Sequence, residues 1–270
     1  MPEPHLLVEK ADGVATLTMN RPEKRNALSP EMVVRLAQAW KDVRDDPSVA
    51  VALLTGAPGT AFCSGADLGL LIPLFTRARK PADEWDEQLL ADRTLMDAAL
   101  LRGFELYKPV VVAINGHALA GGTEILLGTD LRIASSAATF GLTEVRRGII
   151  PAGGSLVRLA RQIPYTAAME IILGGEPVTA EAAYRYGLVN RVVAPDDVLP
   201  VARDTAMRVA KGAPVALRKA KEAVVRTSGM PLDDAYRIES ACAAEVMRTE
   251  DAREGPLSFL EKREPVWKGA

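Results

Sequence analysis

The sequence predicts an α/β fold made of repeated β-β-α units, closed by a helical C-terminal section. Two observations carry this. A short apolar run followed by a glycine-bearing loop and a helical stretch recurs three times at irregular intervals, starting near Val49, Val110 and Asp130. From Gly153 onward the pattern is helical, and a further change near residue 195 separates a core, 1–195, from a helical section, 196–270. The irregular recurrence fits repeated β-β-α units better than a doubly wound sheet.

Taken in order, Leu6-Leu7-Val8-Glu9 and the alternating Val14-Ala15-Thr16-Leu17-Thr18-Met19 flank Asp12-Gly13, which predicts a β-hairpin. Ser29-Pro30-Glu31 then supplies a cap, a first-turn proline and an early acid. A helix over Pro30–Asp45 is expected, with Met32, Val33, Leu36, Ala37 and Trp40 on one apolar face. VAVALLT (49–55) is nearly continuous in apolar residues, as a strand covered on both faces requires. It runs into GAPGTAFCSGAD, after which residues 68–107 alternate between helical and irregular patterns. A second strand is expected at 110–114, a third at 130–134. Pro164 and Pro177 interrupt the helices that follow, Gly187 stops another, and 188–193 is a brief apolar run. Amphipathic helices fill the remainder, with Pro214 and Pro231 near two starts.

Composition narrows the function. Hydrophobic residues at 48% and charged residues at 25% describe an ordinary globular chain. The 33 basic and 35 acidic residues nearly balance, which argues against a nucleic-acid surface. No run approaches the roughly 20 apolar residues of a membrane span, and MPEPHLLVEKADG lacks the layout of a secretory signal, so a cytoplasmic protein is expected. Cys63 and Cys242 lie far apart and are expected as reduced thiols, Cys63 as a small buried hydrophobe. His5 and His117 have no metal-ligand spacing with each other or with a cysteine, so no metal is expected. His117 reads as a polar turn residue satisfied by backbone.

Several chemistries find no support. There is no phosphate-binding G-x-x-x-x-G-K-[ST], and Ala120-Gly121-Gly122 lacks the dinucleotide spacing. Ser64 and Ser155 sit beside glycines but outside G-x-S-x-G, with no histidine placed as a base. What remains is a pair of glycine loops, Ser64-Gly65-Ala66-Asp67 and Ala120-Gly121-Gly122, each after an apolar run. Singly, each reads as a tight turn. On neighbouring strands they aim two backbone N–H groups at one point, where negative charge on a carbonyl oxygen is stabilised. INGHALAGGTEILL adds a carboxylate, Glu124, where core residues are expected, and a charge is rarely buried without a partner or a task.

Six stretches carry a resemblance: NRPEKRNALS (20–29), LTGAPGTAFCSGADL (54–68), KPVVVAINGHALAGGTEILLGTDLRIA (108–134), ATFGLTEVRRGIIPAGGSLVRL (138–159), ILGGEPVTAEAAYRYGLVNRVV (172–193) and EDAREGPLSFLEKR (250–263). In this order they resemble the crotonase superfamily, the enoyl-CoA hydratase/isomerase family, over nearly the whole chain. The resemblance implies the crotonase (ClpP-like) spiral of ββα units and a helical C-terminal section that assembles trimers or pairs of trimers. It implies an oxyanion hole of the Ala66 and Gly121 N–H groups for the thioester oxygen of an acyl-CoA. It also implies Glu124 and Glu144 as the catalytic pair, both present here as in the hydratase branch. Arg25, Ala66, Asp67, Leu68, Gly121, Phe259 and Lys262 are then expected to bind substrate and coenzyme A, the last two across a subunit boundary. Coenzyme A is part of the substrate, and no separate cofactor is expected.

One departure stands out: many relatives have a lysine after Gly-Ala-Asp-Leu, where this chain has Gly69. The apolar Leu70, Leu71, Ile72, Leu74 and Phe75 read equally as acyl pocket or core. The implied reaction is hydration of a trans-2-enoyl-CoA. Two alternatives remain: a Δ3,Δ2-enoyl-CoA isomerase, which needs one carboxylate, and a non-catalytic acyl-CoA-binding relative, which gains little from two desolvated acids.

Overall fold

Asp12 and Gly13, with φ of 51° and 75°, turn the chain between strands β1 (Leu6–Ala11) and β2 (Val14–Met19), which pair antiparallel as the hairpin signal predicts. This computed structural model describes residues 3–270. Beyond the hairpin the large sheet grows by parallel pairing, from β2 to β3 (Val51–Gly56), β5 (Val110–Ile114), β7 (Leu131–Ser135) and β10 (Arg191–Val193). A second sheet runs β4 (Ala61–Cys63), β6 (His117–Leu119), β8 (Thr139–Gly141) and β9 (Val178–Thr179). Each repeat thus gives its first strand to the large sheet and its second to the small one.

The continuous apolar runs follow from burial on two sides. In β3, Ala52 and Leu54 join the main core while Val51 and Leu53 join a second cluster on the opposite face. Val111 and Ala113 of β5 do the same, and the second cluster is closed by Val198, Ala202 and Ala206 of the helix Val198–Ala210. The first helix after residue 195 therefore packs on the sheet.

The main core lies against the helix Pro30–Asp45, whose bounds match the expectation. Ser29 Oγ accepts from Met32 N–H (3.1 Å), Pro30 fits the first turn, and Met32, Val33, Leu36, Ala37 and Trp40 are buried. Between β4 and β5 come three short helices, Leu71–Phe75, Glu84–Ala91 and Thr94–Ala99. The last three helices, Pro214–Thr227, Leu232–Val246 and Asp251–Glu261, bury little and expose Val224, Tyr236, Phe259 and Leu260. Among the described residues no helix is long and apolar enough to cross a membrane.

Candidate active site

The two glycine loops leave adjacent parallel strands. β4 pairs with β6, so the turn at Gly65-Ala66 comes out beside the turn at Ala120-Gly121. Gly65 has φ +89°, and a Cβ there would stand 2.6 Å from Ala120 Cβ and 3.0 Å from Gly121 N. A Cβ on Gly121 would meet Leu28 Cδ1 at 3.0 Å and Ala66 N at 3.6 Å. Only glycine lets the loops approach this closely. Among the described residues, the Ala66 and Gly121 N–H groups donate to no protein acceptor. They are free to act together on one oxygen.

Neighbouring side chains hold both turns. Ala120 has φ 51° and ψ −123°, a conformation that costs a non-glycine residue about 1–3 kcal/mol. Thr123 fixes it: its buried Oγ1 lies 2.7 Å from Ala118 O and 3.1 Å from Gly141 O, and accepts from Gly141 N–H (3.2 Å). Ala120 N–H itself donates to Gly141 O (2.8 Å). On the other loop, Leu28 bridges Ala66, donating to Gly65 O and accepting from Asp67 N–H. Asp67 Oδ2 accepts from the buried Arg21 Nη1 (3.0 Å), and Oδ1 accepts from Gly69 and Leu70 N–H. Burial pushes the Asp67 carboxyl up, but Arg21 and those two N–H groups outweigh it and hold it below the usual range. Asn26 ties the same segment to β4, its Nδ2 donating to Ala61 O (2.9 Å). Composition and spacing gave no sign of Arg21, Asn26 or Thr123, whose role is a set of tertiary hydrogen bonds.

A cavity of about 830 Å³ opens over the paired turns. Arg25, Ala66, Asp67, Leu68, Gly121, Glu124 and Glu144 all line it, so seven of the residues expected from sequence come together. Phe259 and Lys262 do not line it. They lie at the exposed end of the last helix, Lys262 with φ 55°. The apolar stretch 70–75 divides: Leu71 and Leu74 are buried core, whereas Ile72 and Phe75 face the cavity with Met96, Leu100, Ile149 and Ile150. Lys24, Arg93, Arg102 and Arg147 add positive charge to the lining.

Glu124 lies on the helix Gly121–Leu126 and is buried. Its Oε1 accepts from Gly153 N–H (2.7 Å), Ser155 Oγ (2.8 Å) and Ser155 N–H (3.4 Å). Glu144 opens a short 3-10 turn after β8, and its buried Oε2 has no hydrogen-bond partner. Burial pushes Glu144 to about 7, with the Glu124 charge adding to the rise against the pull of its own backbone N–H and Arg147. At neutral pH a large fraction of Glu144 therefore carries a proton, as a general acid must.

The other candidates fall away on contacts. Burial pushes the Cys63 thiol up to about 12, so it is not a nucleophile. His117 lies outside the cavity, and its side chain is satisfied by a hydroxyl, Nδ1 to Thr139 Oγ1 at 2.9 Å, rather than by the backbone as expected. Among the described residues no three His, Cys, Asp or Glu side chains gather to hold a metal.

The family model described as enoyl-CoA hydratase/isomerase matches residues 9–270. The chain is 40% identical to enoyl-CoA hydratase EchA19 of Mycobacterium tuberculosis, covering 97% of this chain and 96% of that protein. It is 39% identical to (E)-benzylidenesuccinyl-CoA hydratase of Thauera aromatica, over 97% and 98%. The crystal structure of an enoyl-CoA hydratase from Bacillus anthracis superposes with a TM-score of 0.88 at 35% identity, covering 98% of this chain and all of that one.

Proposed function

Since this chain belongs to the enoyl-CoA hydratase/isomerase family and is an enzyme of its hydro-lyase type, we propose that it hydrates a trans-2-enoyl-CoA to a 3-hydroxyacyl-CoA. The observation that carries the reading is the placement of two free N–H groups, Ala66 and Gly121, in one cavity with two carboxylates of unlike surroundings. The thioester oxygen takes both N–H groups, which draws electron density from the conjugated alkene and makes C3 electrophilic. A water held between the carboxylates attacks C3 as Glu124 takes its proton, and Glu144 delivers a proton to C2. Charge passes through an enolate whose oxygen stays on the two amides. Each element of this scheme is of known size: about 10² to 10³ in rate for an oxyanion donor and about 10² to 10⁴ for a placed acid or base.

Water and the chain's own side chains suffice for this chemistry, and coenzyme A enters as part of the substrate. Ile72, Phe75, Met96, Leu100 and Ile150 favour an apolar acyl group beyond the alkene, in a cavity large enough for a bulky or branched one. The exposed apolar face of the last three helices supports a homotrimer or a pair of trimers, in which the part of 196–270 beyond the sheet-packed helix Val198–Ala210 serves as the assembly section. Phe259 and Lys262 would then reach a neighbour's coenzyme A.

The test offers a short trans-2-enoyl-CoA, a bulky one and a 3-enoyl-CoA in ¹⁸O-water, with products weighed by mass spectrometry. Addition of labelled water to a 2-enoyl-CoA is the expected result. A bond shift without a mass change makes the chain an isomerase, and tight binding without turnover makes it a carrier.

A further inference from the structure

Ser155 belongs to no nucleophile motif, yet it is fully buried beside the Glu124 carboxylate. A buried hydroxyl without a partner is costly, and the partner here is Glu124 Oε1 at 2.8 Å. No histidine is available to make Ser155 a nucleophile, since His5 pairs with Ser29 and Glu31, and His117 with Thr139. The hydroxyl donates to a carboxylate instead.

All the protein donors reaching this carboxylate fall on one oxygen. Gly153 N–H, Ser155 N–H and Ser155 Oγ converge on Oε1, and among the described residues none reaches Oε2. Gly153 is matched to this arrangement, because a Cβ there would stand 2.6 Å from Oε2 and collide with Leu100 Cδ1. Ser155 is the first residue of the helix Ser155–Gln162, so its backbone is fixed. One turn later Arg158 donates to the Leu100 and Leu101 carbonyls, which fastens this helix to the cavity wall.

We propose that Ser155 is a positioning residue for hydration: its hydroxyl fixes the rotation of the Glu124 carboxylate so that Oε2 alone meets the attacking water. The inference rests on the hydratase reading. Base catalysis depends on alignment, and a carboxylate free to turn spends part of its time with neither oxygen on the water. The Ser155 bond is the only one of the three supplied by a side chain, so it is the one that a substitution removes cleanly.

The test is steady-state kinetics on a short trans-2-enoyl-CoA with the full-length assembled enzyme. Ser155→Ala should lower kcat roughly ten- to a hundredfold, the range for loss of a hydrogen bond to a charged group, with KM within about twofold. In a Glu124→Gln background the same change should add less than about twofold, since it acts through that carboxylate. An unchanged kcat in Ser155→Ala overturns the proposal. So does an equal, additive loss in both backgrounds, which marks a merely structural serine. If the wild-type enzyme hydrates no enoyl-CoA, the hydratase reading and this inference fall together. An active wild type with an indifferent Ser155 sinks only the inference.

Discussion

Glu144→Gln separates the proton-donor role proposed for this carboxyl from its cost to the fold. Burial holds Glu144 near 7 against an ordinary 4.5. A folded-state value raised above the unfolded one means that the folded chain keeps its proton where the unfolded chain has lost it. Wild-type stability therefore falls as pH rises from about 4.5 to about 7 and is fully reduced above that window. At about 1.4 kcal/mol per pH unit the shift amounts to about 3 kcal/mol, and solvent screening in the open cavity reduces this to about 1–2 kcal/mol. Glutamine keeps the shape and never ionises. Denaturant unfolding of both proteins at matched concentration should show Glu144→Gln gaining about 1–2 kcal/mol on wild type between pH 5 and pH 8. Over the same interval the wild-type kcat/KM for hydration should fall about tenfold per pH unit above 7, and the variant should lose at least about 10² in kcat. Parallel stability curves would show that the carboxyl is not desolvated. Turnover retained in the variant would remove Glu144 from the reaction.

Gly65→Ala places a methyl against Ala120 Cβ at a φ of +89°, and should lower kcat by about 10²–10³ in a protein whose circular dichroism is unchanged. Arg21→Met strands Asp67, and should cost about 2–3 kcal/mol in denaturant unfolding at pH 7, less than for a sealed ion pair because Asp67 faces the cavity. The Asp67 value is depressed in the fold, so that difference should shrink as pH drops below about 3.8. Thr123→Val leaves the Gly141 N–H without its acceptor, and should cost about 1–3 kcal/mol in melting experiments while loosening the Ala120 turn, read as a lower kcat.

The long elements of this fold were legible because each carries its signal locally. Ser29, Pro30 and the apolar face through Trp40 place one helix to the residue, and Asp12-Gly13 places the hairpin. The second strand of every repeat was not legible. β4, β6 and β8 have three residues each, too few for alternation to register, and inside glycine loops they look like loop. They exist because they pair with one another across gaps of more than twenty and more than fifty residues. The same short strands bring the two glycine turns together, so the small sheet hidden from the sequence is what builds the proposed oxyanion site.

The site itself divides along the same line. Glu124 stood out because a carboxylate among core residues breaks a local rule, and the glycines beside it marked a close approach. Ser155 stood out too, but only as a failed nucleophile, since a motif looks for what a serine attacks and not for what it holds. Its partner lies thirty-one positions away, and only the packing of Gly153 against Leu100 and Glu124 brings them into contact. Glu144 is expected as the acid, and Glu124 as the base, from the family resemblance, since the residue type itself allows either. What the sequence lacks is the physical reason for that expectation: an Oε2 buried without a donor, set against a neighbour whose Oε1 holds three. Two identical side chains thus meet unlike surroundings: Gly153 and Ser155 converge on one oxygen of Glu124, whereas Glu144 is met by its own backbone N–H and keeps Oε2 without a partner, a difference that exists only in three dimensions.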